Sequence, residues 1–207
     1  MKLNVAPNPE GLGIAAAEIA DISERRIERM VNAALSNGLT PFLTTQPGVN
    51  SGFMIVQYAA ASMVSENKIY AHPASVDSIP SSANQEDIVS MGTTAARKAK
   101  SIVENTLDVL ALELLTACQA IDIRRHLNTH GQGLTPFHQH IYDAVRKEVP
   151  FYETDQEIWP IIRTMEAFIR RKDLLDLVDL YMPEMLDNNA WGQVRSLNWP
   201  EIIVDKK

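Results

Sequence analysis

The chain has 207 residues, 19 Lys and Arg against 26 Asp and Glu, and a formal net charge of −7, which is long enough for one domain with a sizeable core and too acidic, with no basic run or face, for nucleic acid or an anionic membrane to be its partner. One cysteine, Cys118, excludes a disulfide framework and points to a reducing compartment, so the cytoplasm is the expected location. No run of about 18 apolar residues and no apolar leader occurs, which predicts a chain that neither spans a membrane nor is secreted.

Residues 12–35 place Leu12, Ala15, Ala16, Ile19, Ile22, Ile27, Met30, Val31 and Ala34 at near-helical spacing, with charge gathered in SERRIER, and predict a first helix. The Gly-, Pro- and Thr-rich stretch GLTPFLTTQPGVNSG reads as a loop, and residues 53–71, dominated by Ala, Met, Ile and Val and closing on SENK, as a second helix. The segment HPASVDSIPSSANQEDIVSMG, residues 72–92, supplies turn formers in Pro73, Pro80, Ser81 and Ser82. From residue 85 to 126 there is no proline, and no glycine after Gly92, which permits one helix of about 40 residues, roughly 60 Å long. Within it TLDVLALELLTACQAIDI, residues 106–123, is apolar on nearly all sides, so neighbours must surround it, and other subunits are expected to complete the cover. The turn HLNTHGQGLTPFHQH precedes amphipathic helices near residues 136–148 and 156–181. No strand-like alternation and no repeat is visible. The reading is an all-α, long-helix bundle: a helical domain over residues 1–186, its long central helix at about 85–126, and a C-terminal tail over 187–207.

Four of the five histidines, His126, His130, His138 and His140, fall in one window whose i, i+4 and i, i+2 spacings could put two imidazoles on one metal. The window lacks a cysteine, and imidazoles near a helix C-terminus are favoured by its dipole, so no metal site is assigned. Cys118 has no adjacent base to activate it and reads as a buried, inert thiol. Gly-rich phosphate loops, H-E-x-x-H and G-x-S-x-G are absent. By residue type, Ser23 to Arg26 and Ser65 to Lys68 read as exposed turns. For Asn84, Gln85, Glu86 and Asp87 two readings stand side by side: first-turn residues that favour a helix dipole, or residues placed for chemistry.

Taken together, SERR at 23–26, PFL at 41–43, NSGFM at 50–54, SENK at 65–68, HPASVDSIPSSANQED at 72–87 and VSMG at 89–92 resemble, in order and spacing, the C-terminal half of a histidine ammonia-lyase within the aromatic amino acid lyase family. The resemblance runs over about residues 12–125 and thins out beyond. It implies a helical homotetramer in which long helices of four subunits form a central bundle and each active site draws on three subunits. It also implies non-oxidative deamination of a small amino acid, histidine to urocanate, by a methylidene-imidazolone group made by cyclisation of an Ala-Ser-Gly triplet. That triplet, the catalytic tyrosines and the carboxylate-binding arginine belong to the family's N-terminal half; this chain has no such triplet, since Ser51-Gly52 follows Asn50. An N-terminal lyase half is therefore an implied partner, and the chain alone is expected to be inactive and to bind no cofactor of its own. Gln85 and Glu86 match the family's Gln-Glu pair, which implies a substrate-facing role for Glu86 and a supporting one for Gln85. The carboxylate favours histidine, because it can pair with an imidazole or take its proton. Histidine-specific members usually have His after Glu-Asp, where this chain has Ile88. The rival reading is a non-catalytic helical oligomerisation module, or a gene remnant, that keeps the bundle without the chemistry.

Overall fold

The computed structural model describes residues 8–76, 78–127, 133–171 and 173–181. Across them the helices are α1 (Pro9–Val31), α2 (Met54–Tyr70), α3 (Gly92–His126), α4 (Pro136–Glu148), α5 (Trp159–Ile169) and α6 (Asp173–Tyr181), with short 3-10 turns at Pro41–Leu43 and Ser82–Asn84. No strand occurs among the described residues, only the isolated bridges Pro47 with Asn50 and Ser81 with Glu86. The chain is all-α, as its patterning predicts. No helix among the described residues is long and apolar enough to cross a membrane.

Each helix starts for a local reason. Asn8 caps α1 by accepting the Glu10 N–H at 3.1 Å, with Pro9 pre-set at the first helical position. Thr135 caps α4 through the His138 N–H, again followed by a proline. The apolar faces then meet on α3, which packs against α1, α2, α4 and α5. Ile27 of α1, Val56 of α2, Val109, Leu112, Leu115 and Ile123 of α3, and Met165 and Phe168 of α5 form one buried core. Gly13 lets α1 approach α3 closely: a Cβ there would stand 3.1 Å from Ile102 Cδ1.

Three sequence expectations are corrected. The long helix begins at Gly92, not near residue 85, and its 35 residues make a rod of about 52 Å. Residues 85–90 are held out of it because Met91 takes a left-handed turn (φ 50°) and the loop before it is tied to itself. Second, no residue from 106 to 123 is exposed within the single chain, so much of the cover assigned to other subunits comes from α1, α2 and α5. Third, the single helix expected over 156–181 is two: α5 closes at Arg170, whose guanidinium reaches Asp108 at 2.7 Å, and α6 begins at Asp173. The tail over 187–207 and His130 lie outside the described residues.

Candidate functional site

Gln85 and Glu86 stand on the loop between α2 and α3, six or more residues ahead of Gly92. The first turn of α3 contains no acidic residue, so the first-turn, dipole-favouring account of Glu86 is overturned. The loop is built from its own hydrogen bonds. Ser81 and Glu86 exchange backbone bonds in both directions, N–H to carbonyl at 2.9 and 3.3 Å. The Ser81 hydroxyl also donates to Glu86 Oε2 at 3.0 Å, while the other carboxylate oxygen has no partner among the described residues. Between them Ser82, Ala83 and Asn84 all adopt left-handed backbone, φ 51°, 55° and 67°. Non-glycine residues in that region cost roughly 1–3 kcal/mol each and gather at functional sites, where the surroundings hold them. Within the single chain residues 78–88 are all exposed, so no apolar burial from this chain offsets that cost.

The base of the loop is anchored on two helices. Glu10 of α1 accepts from the Ala74 N–H (2.7 Å), the Ser75 N–H (2.9 Å) and the Ser75 hydroxyl (2.7 Å). The Ser75 hydroxyl, with the two amides, holds the Glu10 carboxyl below the usual carboxylate range. Lys98 of α3 donates to the His72 carbonyl. None of these anchors was legible in the sequence, because Glu10 lies 64 residues from Ala74, and serines in a Pro-rich stretch signal only a turn.

A second constellation surrounds the turn 41–53. Phe42 and Leu43 are left-handed (φ 53° each), and the Phe42 carbonyl accepts the Phe53 N–H at 2.8 Å. Asp155 accepts the N–H groups of Ser51 (2.7 Å) and Gly52 (2.9 Å), which lower its pKa, while Asn50 Oδ1 accepts the Asp155 N–H. Ser51-Gly52 is the chain's one Ser-Gly pair. It follows an asparagine, and its amides are engaged by Asp155. These residues do not fit the methylidene-imidazolone group.

The remaining candidates separate. His126 is exposed at the end of α3; His138 Nδ1 lies 2.7 Å from Thr135 Oγ1, and His140 Nδ1 lies 2.9 Å from the Pro136 carbonyl and 2.5 Å from Tyr181 Oη. Burial pushes the Cys118 thiol up to about 11, which fits an inert thiol. The SERR and SENK stretches lie in the helices that the periodicity predicts, but their reading as exposed is corrected: Ser23, Glu24 and Asn67 are buried. Ser23 and Arg26 both bond Glu113 of α3, and Gln57 of α2 donates to Glu24 at 2.8 Å, so this motif knits three helices together.

A sequence profile of the aromatic amino acid lyase family matches residues 2–147. The histidine ammonia-lyase 1 of Fusobacterium nucleatum is 52% identical over 168 residues, covering 81% of this chain and 32% of that protein. The histidine ammonia-lyase of Natranaerobius thermophilus is 57% identical over 158 residues, covering 76% of this chain and 30% of that protein. Among solved structures, histidine ammonia-lyase from Trypanosoma cruzi superposes with a TM-score of 0.79 at 44% identity, covering 86% of this chain and 34% of that one. The chain thus spans about a third of the length of the relatives it matches. The profile match over most of the chain and the shared helical fold give one conclusion: the chain belongs to the aromatic amino acid lyase family.

Proposed function

We propose that this chain forms the C-terminal portion of a histidine ammonia-lyase, catalysing non-oxidative deamination of histidine to urocanate in the cytoplasm when combined with an N-terminal half, and inactive alone. The observation that carries the reading is the Glu86 loop: an exposed, left-handed, hydrogen-bonded hairpin within a sequence similar to histidine ammonia-lyases. Such a conformation persists only where something selects it.

The N-terminal half would supply the electrophilic methylidene-imidazolone that promotes loss of ammonia. This chain's own contribution is the carboxylate of Glu86, which faces the substrate side chain and accepts a hydrogen bond, or the proton, from an imidazole N–H. Gln85 supports it from the adjacent, likewise exposed position. The assembly is a homo-oligomer, a tetramer, built through the exposed apolar stripes of Leu12, Ile19 and Ile22 on α1 and Ile55, Tyr58 and Ile69 on α2.

The test is to assay urocanate by its ultraviolet absorbance with the purified chain alone and after co-expression with a lyase N-terminal half bearing Ala-Ser-Gly. Product only in the second case supports the proposal. Product from the chain alone, in a host lacking its own lyase, overturns the inactive-alone reading. An oligomer that stays silent with a matched half favours the non-catalytic module.

A further inference from the structure

We infer that Ser78 is a positioning residue for Glu86: its hydroxyl ties the two arms of the loop together and so fixes where the Glu86 carboxylate stands. The inference rests on the reading of Glu86 as substrate-facing. Ser78 Oγ accepts the Val89 N–H at 2.8 Å and donates to the Asp87 carbonyl at 3.1 Å, bridging nine and eleven residues of chain. The Ser81–Glu86 backbone pair and the Ser81 hydroxyl bond to Glu86 Oε2 lie inside the ring that this clasp closes.

The physical reason is the absence of a core beneath the loop. Within the single chain residues 78–88 are all exposed, so no apolar packing from this chain selects a conformation there. Selection falls to hydrogen bonds, each of which must overcome the entropy of ordering the chain. Closing the neck at Ser78 shortens the segment that the inner Ser81–Glu86 pair must still close, and so lowers the entropic cost of that pair. Ser78 bonds neither the Gln85 nor the Glu86 side chain, so its influence on the carboxylate passes through the backbone alone. Glu10 and Lys98 fix the base of the loop, and Ser78 fixes its neck.

Amide hydrogen exchange on the full chain, read by NMR, tests the clasp. The Ser81 and Glu86 amides, bonded across the hairpin, are expected to be protected, and Ser78→Ala to speed their exchange by at least about tenfold while the Leu112 and Leu115 amides of α3 stay unchanged. Ser78→Thr keeps the hydroxyl and restores protection; Ser78→Val keeps the shape of Thr without the hydroxyl and does not. Unchanged Ser81 and Glu86 exchange in Ser78→Ala, or protection in Ser78→Val equal to that in Ser78→Thr, overturns the proposal. In the enzyme completed by an N-terminal half, Ser78→Ala is expected to lower kcat by about tenfold, yet to add nothing in a Glu86→Gln background, since two residues acting through one group are non-additive. Additive losses would show that Ser78 does not act through Glu86. Near-full turnover of Glu86→Gln alone would sink the substrate-facing reading, while the exchange result still decides the clasp.

Discussion

The Gln119 side chain and the Tyr152 backbone bond each other twice: Nε2 donates to the Tyr152 carbonyl at 2.8 Å and Oε1 accepts the Tyr152 N–H at 3.1 Å. The same Nε2 donates to the Leu43 carbonyl at 3.2 Å, and Gln119 is fully buried. One side chain of α3 thus satisfies backbone groups of two segments more than 30 residues away on either side. Gln119→Leu would strand those groups in the core at about 1–3 kcal/mol each. A loss of at least about 2 kcal/mol is expected in urea unfolding, and a shift under about 0.5 kcal/mol would mean that the groups find other partners.

Gly52 is irreplaceable for a separate reason. Its φ is +55°, and a Cβ would stand 2.5 Å from the Phe42 carbonyl oxygen, itself fixed by the Phe53 N–H. Gly52→Ala therefore combines the left-handed cost of about 1–2 kcal/mol with a clash against backbone. Gly48→Ala, at φ +87° with open space around it, carries the conformational cost alone. Melting temperatures are expected to fall further for Gly52→Ala, and equal shifts would contradict the close approach.

Asp155 makes stability depend on pH in a definite direction. The Ser51 amide, then the Gly52 amide, hold its carboxyl below the ordinary value, so the folded state binds fewer protons than the unfolded one. Its contribution is complete above the unfolded pKa of about 3.9 and is lost as pH falls through the lower folded value. Glu10, lowered chiefly by the Ser75 hydroxyl, acts in the same direction. Denaturation from roughly pH 5 to pH 3 is expected to show a shallower decline in Asp155→Asn than in the parent chain. Parallel declines would remove Asp155 from the account.

Glu86 lies outside α3, so neither capping nor dipole stabilisation is lost in Glu86→Gln, and the melting temperature should stay put. Turnover of the completed enzyme on histidine should fall by about 10²–10⁴-fold, the range of general acid–base groups. Asp87→Asn, which leaves the Asp87 carbonyl free to accept from Ser78, should be milder. Steady-state kinetics separate these outcomes, and near-parental turnover of Glu86→Gln would remove the main support for a histidine-type site.

The apolar stripes of α1 and α2 predict self-association. Light scattering on a size-exclusion column should give four times the chain mass, and Ile19→Glu together with Ile55→Glu, both at exposed positions, should lower it. A monomer at micromolar concentration would contradict the assembly.

Periodicity and punctuation determined the helices. The 3.6-residue spacing of Ile19, Ile27 and Val31, the proline-free run after Gly92 and the Thr135-Pro136 start of α4 are local signals, written in the chain because helical hydrogen bonds join near neighbours. The ordered motifs likewise placed the chain in its family, as the profile over residues 2–147 bears out.

What only the tertiary structure decided is where local preference gives way to distant partners. Residues 85–90 carry no helix breaker, yet they are not helical, because Ser78 claims the Asp87 carbonyl and the Val89 amide, and Met91 turns left-handed. Ser23 and Glu24 look like surface residues until Glu113 and Gln57 arrive from α3 and α2. Glu10 reads as an ordinary first-turn acid until the fold brings Ala74 and Ser75 to it. In each case the deciding bond joins residues between nine and ninety positions apart, a separation at which neither propensity nor periodicity carries information.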